Sequence, residues 1–148
     1  MYKFIKEQHE KCKLRPDDIC SFEEKFDIRL PFEMAEFYLQ FNGLEIYLSK
    51  IEKDTTIFQV DAFYSIKHSF SSRLPTVDTL IEWDRMDGFI DHKMVPFAKD
   101  QGGDSYYCDS ASGEIYIIRS DDIDIPIKIC DTFTEFLSAL DIYNGNYW

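Results

Sequence analysis

Val95-Pro96-Phe97-Ala98-Lys99-Asp100-Gln101-Gly102-Gly103-Asp104-Ser105-Tyr106-Tyr107-Cys108-Asp109 is the stretch on which the reading of the fold turns. Its first part, Val95 to Asp104, reads as a loop carrying Pro96 and the Gly102-Gly103 pair. From Ser105 the side chains alternate, which marks strand candidates at 105–109, 114–118 and 125–130. Ser110-Ala111-Ser112-Gly113 supplies a short turn between the first two, and Asp121-Asp122-Ile123-Asp124 an acidic connector before the third. Thr132-Phe133-Thr134-Glu135 then has capping-box spacing, with Phe133, Phe136, Leu137 and Leu140 on one face and Gly145 past the end, so a helix closes the chain.

Upstream of that stretch the period is first near four and then two. Tyr2, Ile5 and Cys12, with His9 between them, suit one face of a helix over Tyr2 to Cys12. Arg15-Pro16-Asp17-Asp18 starts a second helix, because proline is tolerated at the first helical position and carboxylates favour the first turn; Ile19, Phe22 and Phe26 carry it to about Phe26. Pro31 pushes Leu30 out of helical geometry, which makes Asp27 to Pro31 an extended connector. Met34, Phe37, Tyr38 and Phe41 recur at i, i+3, i+4 and i+7 before Asn42-Gly43 supplies the left-handed residue that ends a helix; this aromatic stripe is a core face. Leu44, Ile46 and Leu48 alternate, a polar break runs from Lys50 to Asp54, and Phe58, Val60, Ala62 and Tyr64 alternate again, which predicts a two-stranded hairpin. His68 to Arg73 reads as loop, and Pro75 opens a helix through Val77, Leu80 and Ile81 that ends at Gly88.

The composition bounds what such a chain does. Its 148 residues are 45% hydrophobic and 16% aromatic, enough to bury a core, and the length suits one domain over residues 1–148. The 28 acidic and 16 basic side chains leave a net charge of −12, which excludes nucleic-acid binding by bulk phosphate neutralisation. Residues 101–148 hold 9 of the acidic side chains and only 2 of the basic ones, so the net acidity is concentrated in the final third; such a balance serves solubility, and its skew also suits a basic partner. Cys12, Cys20, Cys108 and Cys130 are too few and too scattered for a disulfide scaffold and form no C-x-x-C pair, which fits a reducing cytoplasm. The charged N-terminus lacks the apolar core of a secretory signal, and no apolar run approaches the roughly 20 residues that span a bilayer.

No stretch carries an enzyme motif. His9, His68 and His92 are far apart, and Asp100, Asp104, Asp109 and Glu114 lack the spacing of a calcium loop, so no metal site is expected; Asp100 and Asp104 serve the loop's own backbone instead. Gly102-Gly103 belongs to neither phosphate-loop pattern and lies among carboxylates that repel phosphate. Cys108 could in principle meet a histidine, but a buried, inert thiol on a strand is the simpler state.

Three fragments in order carry a family resemblance. Phe22-Glu23, Ile28-Arg29-Leu30-Pro31 and Phe37 to Gly43, closing on Asn42-Gly43, form the first; Pro96-Phe97-Ala98, Asp100 with Gly102-Gly103-Asp104, and Gly113-Glu114-Ile115-Tyr116 the second; Phe133 to Leu137 the third. Together they resemble the SUKH superfamily, the Smi/Knr-type proteins, over most of the chain. Leu44 stands where many members carry a second glycine, and residues 50–75 match no family motif.

The resemblance implies an α+β fold in one domain, a mostly antiparallel curved sheet flanked by helices, with no cofactor. It also implies a non-enzymatic binding protein: for bacterial members an immunity protein that neutralises a polymorphic toxin, many of them nucleases, and for fungal members a regulator or scaffold of cell-wall synthesis; a small hydrolase is the weakest alternative. A nuclease presents a basic cleft to phosphate, and an acidic inhibitor can occupy it with electrostatically steered association. Asp121, Asp122 and Asp124 are the densest acidic patch, and with Asp109 and Glu114 they are the expected contacts to a toxin with a basic surface, no nucleic acid or membrane being engaged directly.

Overall fold

The computed structural model describes residues 10–46 and 49–142. In chain order it contains a 3-10 turn (Glu10–Cys12), α1 (Pro16–Phe26), α2 (Phe32–Phe41), β1 (Ser49–Lys53), β2 (Thr56–Val60), β3 (Ala62–Phe63), α3 (Val77–Asp87), β4 (Met94–Lys99), β5 (Ser105–Asp109), β6 (Ile115–Arg119), β7 (Asp122–Cys130) and α4 (Phe133–Ala139). β1 and β2 form a two-stranded sheet, and β3-β4-β5-β6-β7 a five-stranded one in that spatial order, with every neighbouring pair antiparallel. The architecture is α+β, as the order of helical and alternating segments predicts.

Local chemistry explains the helices. Pro16 opens α1 where its missing N–H costs nothing, and the Asp18 carboxylate accepts the Arg15 backbone N–H at 2.8 Å. The Pro31 carbonyl accepts the first α2 amides, from Met34 and Ala35, while the Leu30 N–H donates to Glu23 at 2.8 Å and holds the connector against α1. Gly43 follows α2 at φ 84°, a left-handed conformation in which a side chain would be strained. Thr76 and Thr132 cap α3 and α4, each hydroxyl accepting an amide three residues on.

The core lies between α2 and α4 and one face of the large sheet. Phe37, Phe63, Phe97, Tyr106, Phe133 and Phe136 form a continuous aromatic network, with Phe97 only 4.9 Å from Phe136 and 5.0 Å from Phe133 between ring centroids. Such tilted and edge-to-face pairs add about 0.5–1.5 kcal/mol each beyond the area they bury. The Phe37 stripe is therefore core, as its spacing indicated.

Four expectations need correction. Val95 to Lys99 is not loop but lies in β4, buried almost throughout; a run without alternation hides a strand that has both faces covered, and Pro96 is accommodated where the register slips between Pro96 and Ala98. The polar break at Lys50 to Asp54 is mostly β1, in which Ser49 and Ile51 turn inward while Lys50 and Glu52 turn out; the hairpin turn sits at Asp54-Thr55, and Leu44 to Ile46 is irregular. Phe58 to Tyr64 is split, β2 pairing with β1 and β3 with β4. The connector Asp121 to Asp124 is largely strand, since β7 starts at Asp122 opposite Arg119. Of the expected first helix only Glu10–Cys12 is described, as a 3-10 turn, and Tyr2 to His9, Leu48 and Gly145 lie outside the described residues.

Candidate partner-binding groove

Alternation along β5 and β6 sends Tyr106, Cys108, Ile115 and Ile117 into the core and Tyr107, Tyr116 and Ile118 to the opposite face. There Met94, Tyr107 and Ile118 make a second, smaller apolar cluster, flanked by Ile90, Tyr116 and Ile123. α3 covers only part of it. The Tyr107 hydroxyl donates to the Asp84 carboxylate at 2.8 Å and ties the C-terminal half of α3 to the sheet.

Between the α3–β4 segment and the β6–β7 hairpin a groove remains, with two adjoining hollows of about 440 and 170 Å³. Phe89, Ile90, Ile118 and Ile123 line both. The larger continues over Met94, Tyr116 and Pro126 with Asp91, Lys93, Asp109 and Asp124 at its edge, and the smaller over Tyr107 with Asp84, Asp87 and Asp104. Phe89 of its wall is 72% exposed, and Trp83 and Met86 of α3 are exposed as well. An apolar floor under a charged rim, with an exposed Phe in its wall, is the composition of a protein-binding surface.

The rim is one-sided in charge. Arg119 pairs with Asp104 at 3.3 Å and Lys93 with Asp109 at 3.5 Å. Asp84, Asp87, Asp91 and Asp124 have no cationic partner among the described residues. Burial raises the Asp84 carboxyl above the usual aspartate range, the Tyr107 hydrogen bond opposes that shift and Asp87 adds to it. Burial, reinforced by Asp84, pushes the Tyr107 hydroxyl far up as well, so Tyr107 stays a neutral donor.

The sequence-predicted residues fall into three groups around this groove. Asp124 lines it, and Asp121 and Asp122 are exposed on the hairpin whose Ser120 and Ile123 line it. Asp109 borders the larger hollow but is buried; its Oδ1 accepts the Ala111 and Ser112 amides and shapes the β5–β6 turn. Glu114 stands beyond Tyr116, whose hydroxyl it accepts at 3.1 Å, and shares Lys128 with Asp131, each contact 2.6 Å; Lys128 holds both carboxyls below their usual range.

The motif residues hold the frame. Asn42 is fully buried: its Nδ2 donates to the Cys12 and Ile66 carbonyls at 2.6 and 2.9 Å, and its Oδ1 accepts the Ile66 amide at 2.7 Å. In the β4–β5 turn Asp100 Oδ1 accepts the Asp104 amide at 2.9 Å, Gly103 sits at φ 90°, and Asp104 Oδ1 accepts the Ser120 amide at 2.9 Å, fastening this turn to the β6–β7 hairpin beside the groove. A Cβ on Gly102 meets nothing closer than Asp100 at 3.5 Å. Cys108 is buried with its Sγ facing the Asp109 and Gly113 carbonyls, and burial pushes its thiol up to about 12, far from a nucleophile's range. No cluster of three His, Cys, Asp or Glu side chains could hold a metal among the described residues, and none of their helices is long and apolar enough to cross a membrane.

Sequence reasoning missed Asp84, Asp87, Asp91, Phe89 and Ile90 as groove residues. The available signal was the run Trp83-Asp84-Arg85-Met86-Asp87-Gly88-Phe89-Ile90, where large apolar residues continue past the glycine that ends the helix.

An antiparallel five-stranded sheet with helices packed on its core face defines an α+β fold of the SUKH kind. The chain matches the model of the SMI1 / KNR4 family (SUKH-1) over residues 13–139 and belongs to that family. The family includes immunity proteins, is generally non-enzymatic, and its members bind partner proteins. No curated protein matches the chain.

Proposed function

We propose that this is a non-enzymatic immunity protein of the cytoplasm that binds a toxin with a basic surface and occludes its site. One observation carries the reading: four carboxylates, Asp84, Asp87, Asp91 and Asp124, stand around an apolar groove without a cationic partner among the described residues. A toxin that cleaves nucleic acid must offer cations to phosphate, and such a surface complements this rim. Steered association then gives fast capture, with on-rates up to roughly 10⁸–10⁹ per molar per second at low salt. Asp121 and Asp122 extend the same negative field along the exposed hairpin. The free state of all four cysteines suits a reducing compartment.

The test is growth rescue. Cells expressing a toxin-domain protein encoded beside this gene should survive when the wild-type protein is co-expressed. Asp121→Lys, Asp122→Lys and Asp124→Lys together should weaken rescue and slow association with the purified toxin at low salt. Association unchanged by the three reversals contradicts an acidic interface at this hairpin.

A further inference from the structure

The two hollows of the groove differ in chemistry although they share a wall. The larger is floored by Met94, Tyr116, Ile118 and Pro126, whereas the smaller ends on the Asp84 carboxylate, with Asp87 beside it. Asp84 is half-buried, and its hydrogen bond comes from the neutral Tyr107 hydroxyl. A carboxylate taken partly out of water and left without a cation is costly to the free protein, and a cation delivered by a partner removes that cost.

We propose, resting on the binding-protein reading above, that the groove seats one short basic, amphipathic segment of the partner, with an apolar side chain in the larger hollow and a lysine or arginine at Asp84 and Asp87. Charge complementarity selects this occupant. Of the six carboxylates that line the two hollows, only Asp104 and Asp109 are neutralised by a cation among the described residues. An acidic peptide or a phosphate backbone would meet the other four directly.

The alternative seat is the outer edge of β7, to which a partner strand could add. That edge is blunted: Pro126 lacks an N–H, Asp122 and Asp124 are charged, and the ladder to β6 is irregular between Ile117 and Arg119. The Lys53 ammonium also donates to the Lys128 carbonyl. The groove, in contrast, offers concavity, apolar floor and unpaired charge together.

The experiment needs no toxin. The ¹⁵N-labelled protein is titrated with a blocked peptide of alternating lysine and leucine, with the same peptide carrying glutamate for lysine, and with oligolysine of equal charge. The expected result is saturable amide shifts for the lysine-leucine peptide, centred on residues 84–91, 105–107 and 116–124, none for the glutamate peptide, and weaker binding of oligolysine. Asp84→Asn with Asp87→Asn should weaken the lysine-leucine peptide about tenfold. Asp84→Asn keeps an acceptor for Tyr107, and retained amide dispersion shows that the double variant is folded. No saturable shifts, shifts scattered over the acidic surface, equal binding of oligolysine, or an unaffected double variant overturns the proposal. Because the toxin is absent, each of these outcomes leaves the growth-rescue result to judge the immunity reading separately.

Discussion

Replacing Asn42 by alanine should be among the most damaging single changes in this protein, for a reason the residue's place at a helix end does not suggest. Its amide joins three parts of the chain: the 3-10 turn through the Cys12 carbonyl, the end of α2 on which it stands, and the segment after β3 through both polar groups of Ile66. All three hydrogen bonds are buried. At about 1 kcal/mol each they account for about 3 kcal/mol, and the stranded carbonyls and amide push the cost higher. Against a total stability of about 5–15 kcal/mol that is a large share. With a urea m-value of about 2 kcal/mol/M, the unfolding midpoint followed by circular dichroism should fall by about 1.5 M at unchanged slope. Asn42→Asp, the same shape, turns an oxygen toward two carbonyls and should cost at least as much. A loss below about 1 kcal/mol for either variant would refute the view that this amide ties the fold together.

Three further outcomes follow from other residues. Asp84→Asn should leave Tm at pH 7 equal to or above that of the wild type, because the folded carboxyl titrates above its unfolded value: the stability it contributes is present at low pH and declines as pH rises through the folded value, a decline that asparagine abolishes. The two proteins should converge in thermal melts at acid pH, and a clear drop in Tm for the variant at pH 7 contradicts the reading of Asp84 as a strained, unpaired charge. Phe136→Ala, which empties a site packed on Phe97 and Tyr106, should cost about 3–5 kcal/mol in urea unfolding. In native protein at pH 8 a thiol reagent should label exposed Cys20 rapidly and buried Cys108 only on unfolding; prompt reaction at Cys108, read by peptide mass, would contradict its placement.

The helices were legible because each declares itself locally: Pro16 and Thr132 at their starts, the Phe37 stripe along the face, Gly43 and Gly88 past the ends. β5 and β6 were legible because turn residues bracket them, although β5 is buried from Tyr106 to Asp109. β5 and β6 send successive side chains to opposite faces, whereas β4, covered on both sides, has no polar residue before Lys99 to mark its period and carries a proline that suggests a loop. β1 failed in the opposite way, with Ile51 alone betraying its inner face between Lys50 and Glu52. The acidic hairpin was readable as composition, but not its position, since the groove unites Asp84 and Asp87 of α3 with Asp124 of β7 across the sheet. Charge counted along a chain does not say which carboxylates already have a cation; here Lys128 engages Glu114, Arg119 engages Asp104 and Lys93 engages Asp109, so the unpaired ones lie elsewhere.

The most direct test of an acid-rimmed binding groove is the association rate with the purified toxin, measured by stopped flow across a salt series for the wild type and for the variant carrying Asp84→Asn, Asp87→Asn, Asp91→Asn and Asp124→Asn. At low salt the variant should associate about tenfold more slowly, and its rate should depend far less on ionic strength than that of the wild type. Equal rates and equal salt dependence for the two proteins would place the interface elsewhere and contradict the account.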